Sequence, residues 1–168
     1  MPTSFTGEKM QRMDGKGRLV IPAGFRDALR DGDPAGREVE LTRMVINYGK
    51  HLNGHLRIYS IQSFKAVEAL IEAQPLGSDN RRNLSYLYLT QKEVMQADKE
   101  GRIILTADLR AKLGIEEGDV RLMGLGDYIE LWSDAAFAAT RGQQIDAWLA
   151  ALPVGMDPLA LASRPAGA

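Results

Sequence analysis

Two five-residue stretches carry the chemistry in this chain: Asp14-Gly15-Lys16-Gly17-Arg18 and Asp98-Lys99-Glu100-Gly101-Arg102. Each sets a carboxylate four residues ahead of an arginine, with a glycine between them that can turn the chain back. Arginine offers five donors in a fixed fork and suits phosphate oxygens or the edge of a guanine. Lys16 adds a cation beside Arg18, whereas the second stretch has Glu100 at that place. Lys9 and Arg12 ahead of the first stretch, and Lys99 inside the second, extend the basic set. A turn of this kind also has a purely structural reading, because Asp14 could pair with Arg18, and Asp98 with Arg102, across it. Recurrence alone does not choose between the two, since a duplication copies structural turns as well.

Other chemistry has little to work with. There are no cysteines, which excludes disulfides, thiolate zinc sites and cysteine nucleophiles. No G-x-x-x-x-G-K-[ST] loop or G-x-S-x-G elbow is present, and "GLGD" at Gly124–Asp127 lacks the third glycine of a dinucleotide fingerprint. His51 and His55 in "HLNGH" have metal-ligand spacing, but Asn53-Gly54 between them reads as a hairpin turn. Glu116-Glu117 reads as part of an exposed turn. The expectation is a non-enzyme without cofactor, metal site or small-molecule substrate. No apolar run approaches the roughly 20 residues that span a bilayer. The opening "MPTSFTGEKM" lacks a signal-peptide core, so a cytoplasmic protein with no membrane partner is expected.

The net charge of −1 hides an uneven distribution. Residues 1–30 balance at +3, residues 31–80 at −2, residues 81–112 at +3 and residues 113–168 at −5. Each positive segment contains one copy of the Asp-to-Arg stretch, which points to a polyanion partner for part of the surface.

The copies belong to a longer register. A shift of 84 carries Asp14, Gly17, Arg18, Arg26 and Leu29 onto Asp98, Gly101, Arg102, Arg110 and Leu113. Further on, Tyr59, Ser60 and Phe64 match Trp132, Ser133 and Phe137 at a shift of 73, so the first copy carries 11 extra residues. The chain therefore reads as a tandem duplication. Each copy reads strand, strand, short helix, strand, strand: Met10–Met13 and Leu19–Ile21 as a hairpin about "DGKG", a helix opened by Pro22 or capped by Thr106, then Val39–Ile46 and Leu56–Tyr59, or Val120–Met123 and Tyr128–Trp132. A helix capped by Ser60 or Ser63 follows the first copy, and a longer one capped by Ser133 and containing Phe137, Ile145, Trp148 and Leu149 follows the second. "SDNRRNLSYLY" reads as a helix between copies. The expected organisation is repeat one at 5–65, a helical segment at 66–88, repeat two at 89–137, a C-terminal helix at 138–152, and a Pro- and Ala-rich disordered tail at 153–168.

A copy of this size buries little apolar surface alone, so it should pack on its twin. The expected fold is α+β: two β-β-α-β-β repeats forming one pseudo-twofold barrel, with Arg18 and Arg102 paired on one face.

"FTGEKMQRMDGKGRLVIPAGFRDAL" and "DKEGRIILTADLRAKLGIEEGDVRLMGLGDYIELW" resemble the two halves of the MraZ family of bacterial transcriptional regulators, over roughly residues 5–150. The resemblance implies tandem SpoVT/AbrB-like domains in a swapped-hairpin-type barrel, ring-like homo-oligomers larger than a dimer, and association with the nucleoid. It implies binding of double-stranded DNA at short direct repeats ahead of the division and cell-wall gene cluster. The family's Asp-x-x-x-Arg motif falls on Asp14 with Arg18 and Asp98 with Arg102. Lys16, Arg18, Arg102, Lys99, Lys9 and Arg12 are the expected DNA contacts, and Asp14, Asp98, Gly17 and Gly101 the expected turn-orienting residues. The chain departs from the common family pattern at Thr6, where many members carry arginine, in the longer "RDGDPAGREVELTR" connection and in its tail. The rival expectation is a non-enzymatic oligomeric module that binds protein through its acidic C-terminal third. A small-molecule enzyme on a similar barrel is a weaker one.

Overall fold

At Asp14 and again at Asp98 the chain reverses, yet the strands on either side of each turn do not pair with one another. The computed structural model describes residues 4–162. β1 (Glu8–Met13) leads into the first turn, which is closed by Gly17 N–H to Asp14 O at 3.0 Å and Asp14 N–H to Arg18 O at 3.1 Å. β2 (Arg18–Val20) then leaves it. β5 (Lys92–Gln96) and β6 (Arg102–Ile104) flank the second turn in the same way. The hairpin expected from "DGKG" is thus a turn without a ladder: β2 pairs antiparallel with β6, and β1 pairs with β7 (Gly118–Gly124), both in the other repeat. Burial supplies the reason. Leu19, at the middle of β2, is covered only when Ile103 of the other repeat stands opposite it.

The remaining strands are β3 (Arg43–Asn47), β4 (His55–Tyr59) and β8 (Ile129–Ser133). Six strands form an antiparallel sheet in the order β1-β7-β8-β4-β3-β5, and β2-β6 is a separate ribbon. Under the repeat correspondence this order reads the same from both ends, so the pseudo-twofold axis passes between β8 and β4. The axis then meets the ribbon where Leu19 faces Ile103. β1 and β5 stand at opposite edges and do not pair, so the ladder of the larger sheet stays open rather than closing as the expected barrel. It stays open because β2 and β6, the continuation of those edge strands, pair with each other instead.

One face of the sheet supplies Met44, Ile46, Leu56, Ile58, Val120, Leu122, Ile129 and Leu131 to a single core. The ribbon adds Leu19 and Ile103, and two short helices complete it. α1 (Ala23–Asp31) inserts Phe25, Ala28 and Leu29, with Pro22 just ahead of the helix rather than inside it. α4 (Ala107–Leu113) inserts Leu109 and Leu113. Thr106 Oγ1 accepts from the Leu109 amide at 3.3 Å, and Gly114 ends α4 in the left-handed region at φ +78°.

The longer first connection folds around a carboxylate. Asp33 accepts from Arg43 Nε at 2.8 Å and from the Ala35 amide at 3.0 Å, and Gly36–Glu38 forms a 3-10 turn, so β3 starts at Arg43 rather than near Val39. The opposite face of the sheet is covered by α2 (Ile61–Glu72), whose Phe64 packs with Val45 and Tyr59. Between the repeats, α3 (Asp79–Leu84) passes into a π-helical turn, Ser85–Thr90. The buried Asn47 fixes that turn through its amide, which donates to Leu87 O at 3.0 Å and Gln91 O at 2.9 Å.

Both repeats lie in one compact unit that ends at Asp134, and a second compact unit begins at Ala135. The single long helix expected there is two, α5 (Asp134–Ala139) and α6 (Arg141–Ala150). The break is at Thr140, where the backbone leaves helical dihedrals and the hydroxyl donates to Ala136 O at 2.7 Å. Within the tail expected to be disordered, Pro158–Leu161 is a 3-10 turn capped by Asp157, while 163–168 lie outside the described residues.

The crossing of the repeats sets a steric test. Gly17 has φ +82°, and a Cβ there would collide with Leu105 O; Gly54 has a similar φ of +77° but open space around it. Gly54→Ala should cost about 1–2 kcal/mol in chemical denaturation, the conformational penalty alone. Gly17→Ala should cost clearly more and broaden or abolish the transition. Equal losses would show that the close approach of the two repeats contributes nothing.

Candidate nucleic-acid interface

The ribbon alternates as strands do: Leu19 and Ile103 point inward, while Arg18, Val20, Arg102 and Ile104 form the outer face. Arg18 stands opposite Ile104 and Arg102 opposite Val20. The two arginines are therefore diagonal neighbours, about 7–8 Å apart at the backbone, and both line one open cavity of about 460 Å³ with Leu41, Met95 and Asp98.

Each arginine is aimed by the aspartate four residues earlier. Asp14 Oδ1 accepts from the amides of Lys16 at 3.0 Å and Arg18 at 2.9 Å, and its Oδ2 takes Arg18 Nε at 2.5 Å. Asp98 repeats the pattern with the amides of Glu100 and Arg102 and with Arg102 Nε at 2.8 Å. The Arg18 amide, reinforced by its guanidinium, holds the Asp14 carboxyl below its ordinary range, and Arg102 does the same for Asp98. The structural pairing and an exposed cation coexist, because the aspartate takes only Nε and the Arg18 and Arg102 side chains stay 49% and 46% exposed. Among the described residues Arg18 Nη1 and Nη2 have no partner, whereas Arg102 Nη2 lies 3.5 Å from Glu100.

The other expected cations are distributed unevenly. Lys16 is exposed on the first turn with no ion pair among the described residues. Lys99 on the second turn pairs with Glu40 at 3.1 Å. Arg12, on β1, lies 3.8 Å from Asp119 across the strand pair. Lys9 is on β1 away from the ribbon and lines a different cavity, with Phe5, Pro22 and Phe25. The structure gathers Lys16, Arg18 and Arg102 about the ribbon and its first turn, and sets Lys9 apart.

Gly17 and Gly101 are positioned by the opposite repeat. Leu105 N–H donates to Gly17 O and Ile21 N–H to Gly101 O, both at 2.8 Å. Beneath the turns lie two residues that motif reading passed over, Arg110 under the first and Arg26 under the second. Their only signal in the sequence was the register that equates them.

The two histidines go separate ways. The His55 ring stacks on Trp132 at 4.2 Å with Nε2 3.6 Å from Glu130, while His51 packs on Tyr88. Burial lowers both pKa values, and among the described residues no group of three or more His, Cys, Asp or Glu could hold a metal. No helix of the described residues is long and apolar enough to cross a membrane.

A family model described as an antitoxin-like MraZ protein matches residues 4–85 and 89–149. The chain belongs to the MraZ family. It is 33% identical over 159 residues to the transcriptional regulator MraZ of Ruegeria pomeroyi, covering 95% of both chains. It is 30% identical over all of its 168 residues to that of Ruegeria sp. strain TM1040, and 31% over 147 residues to that of Desulfitobacterium hafniense, covering 88% of this chain and 93% of that one. The two MraZ segments each contain one Asp-to-Arg turn, and they part inside the π-helical turn that joins the repeats.

The anchoring of the arginines gives a pH signature. A carboxylate whose pKa is lowered on folding contributes stability above its unfolded pKa of about 3.9, and loses it as pH falls through the lowered value. Carboxyl carbon shifts of Asp14 and Asp98 should titrate with midpoints below 3.8. Arg18→Ala should move Asp14 only part of the way back, because the amides still donate. Midpoints at the ordinary value would mean that neither turn is held by its aspartate.

Proposed function

We propose that this chain is a sequence-specific DNA-binding transcriptional regulator, a repressor that acts on the nucleoid as a ring-like homo-oligomer. Its targets would be short direct repeats ahead of the division and cell-wall gene cluster, its own gene included. The observation that carries the reading is the outer face of the ribbon, where two aspartate-anchored arginines stand as diagonal neighbours with Arg18's terminal nitrogens unengaged among the described residues. Arginines fixed in this way lose little freedom when they meet phosphate or a guanine edge. The relatives named as transcriptional regulators support it. The crossed pairing of β1, β2, β5 and β6 between the repeats supports the swapped-hairpin part of the reading, with the β2-β6 ribbon joining the two repeats beside an open sheet. In this reading repeat one at 5–65 and repeat two at 89–137 each supply one arm.

One protomer offers few unpaired cations near the ribbon, so affinity would come from several protomers engaging successive repeats. Surface for assembly is available on α6, where Ile145, Trp148 and Leu149 are 39%, 50% and 46% exposed. Trp132, by contrast, is buried within the protomer. Light scattering should give a particle larger than a dimer, and a monomer across micromolar concentrations would remove the avidity argument.

Binding to random duplex DNA and to the fragment upstream of the protein's own gene, each over a salt series, tests the reading. Arg18→Ala should abolish the preference for the upstream fragment with fold and assembly intact by circular dichroism and sedimentation. Lys16→Glu should weaken binding more than Lys99→Glu, because Glu40 already occupies Lys99. Each lost phosphate contact should flatten the logarithmic salt dependence by about 0.9, and Glu100→Lys should strengthen binding. Equal losses at Lys16 and Lys99 with no gain from Glu100→Lys would show that turn charge does not hold the DNA. No binding at any salt would favour the protein-interaction module.

A further inference from the structure

The two turns look alike from outside but are supported differently from beneath. Arg110 leaves α4 of the second repeat and reaches under the first turn, where its Nη1 donates to Gly15 O at 3.0 Å. The same nitrogen lies 3.4 Å from both Glu116 O and Glu116 Oε2. The side chain is only 13% exposed, and its Nε sits 3.3 Å from where a Cβ on Gly17 would be. Arg26, its counterpart in the first repeat, lies under the second turn with its guanidinium 2.7 Å from the corresponding position on Gly101. The Arg26 side chain has no hydrogen bond or ion pair among the described residues; its Nε, like that of Arg110, is buried without a partner, so the two differ at their terminal nitrogens.

The difference follows from how the helices end. α4 stops at Leu113, and left-handed Gly114 folds the chain back, with Ile115 N–H on Arg110 O at 3.3 Å, so that Glu116 returns over Arg110. α1 runs on to Asp31, and although Glu40 and Asp98 line the same cavity as Arg26, no carboxylate bonds to it among the described residues. The register gives the first turn a clamp that its twin lacks.

We propose that Arg110 is a positioning residue for DNA binding: it locks the Gly15 carbonyl from the opposite repeat, so that Lys16 and Arg18 are presented by a stiffened turn while the second turn stays compliant. It acts through the turn and not on the DNA. Its charge is already met by Glu116, and a group this buried beneath the turn is poorly placed to meet a phosphate. A preordered turn gives up less conformational freedom on binding, which raises affinity without adding a contact. The proposal rests on the DNA reading of the turns, but its structural half can be measured without DNA.

Amide hydrogen exchange on the full chain provides that measurement, with no substitution needed. The amides of Lys16 and Arg18 donate to Asp14 just as those of Glu100 and Arg102 donate to Asp98, so the local bonds are matched. After correction for intrinsic rates, the first pair should exchange about tenfold more slowly, equivalent to about 1.4 kcal/mol. Arg110→Ala should erase the difference, Arg110→Lys should restore part of it, and Arg26→Ala should leave both pairs as they were. In binding to random duplex DNA, Arg110→Ala should lose about tenfold in affinity with the salt slope of the wild type, whereas Arg18→Ala lowers the slope. Equal exchange at the two turns in the wild type would overturn the proposal, and so would a reduced salt slope for Arg110→Ala, which would make it a direct contact. The exchange difference without any DNA binding by the wild type would support the clamp and overturn the DNA reading alone.

Discussion

Two backbone hydrogen bonds, Leu105 N–H to Gly17 O and Ile21 N–H to Gly101 O, hold the rest of this structure in place. They cross between repeats at the points where each turn meets the other copy. The approach is so close that a β-carbon on Gly17 would meet the Leu105 carbonyl. Once the turns are engaged in this way, β2 has no partner but β6, and β1 and β5 must find theirs elsewhere. The shared core of Leu19, Ile103, Leu109, Leu113, Phe25 and Leu29 is a consequence of that exchange, since neither copy could enclose these residues alone.

The same constraint shapes the electrostatics of the ribbon. A three-residue strand has one inward position and two outward ones, so Leu19 and Ile103 are committed to the core and the arginines to solvent. Asp14 and Asp98 then divide their oxygens, one for backbone amides and one for the arginine Nε, which fixes the direction of each fork. The duplication makes the two forks equivalent in backbone terms. Side chains that the duplication did not preserve make them unequal. Glu100 and Glu40 draw on the cations of the second turn, and Glu116 engages the arginine beneath the first.

Much of this was legible in the residues. The register of 84 equated the turns, and helix signals placed α1, α2 and α4 within a residue or two. Prolines, serines, threonines and glycines act locally, through dihedral preference and side-chain caps, so their effect is readable along the chain. The break at Thr140 was missed because a threonine inside a periodic apolar pattern does not reveal whether its hydroxyl will bond backward. The late start of β3 was missed because its cause is the pairing of Asp33 with Arg43, ten positions apart, which no local pattern announces.

What the sequence determined by itself is the content of each repeat: the turn, the carboxylate four residues before its arginine, the short helix and the family to which these belong. Periodicity, turn chemistry and capping are properties of neighbouring residues, and they survive in one dimension. Only the tertiary structure decided which strand pairs with which. A β-strand offers the same backbone donors and acceptors to any partner, and the choice rests on which pairing buries both inner faces. Tertiary contact likewise decided that Arg110 and Arg26, identical by register, sit in unlike surroundings. A side chain's partners are set by whatever the rest of the fold brings within hydrogen-bond distance.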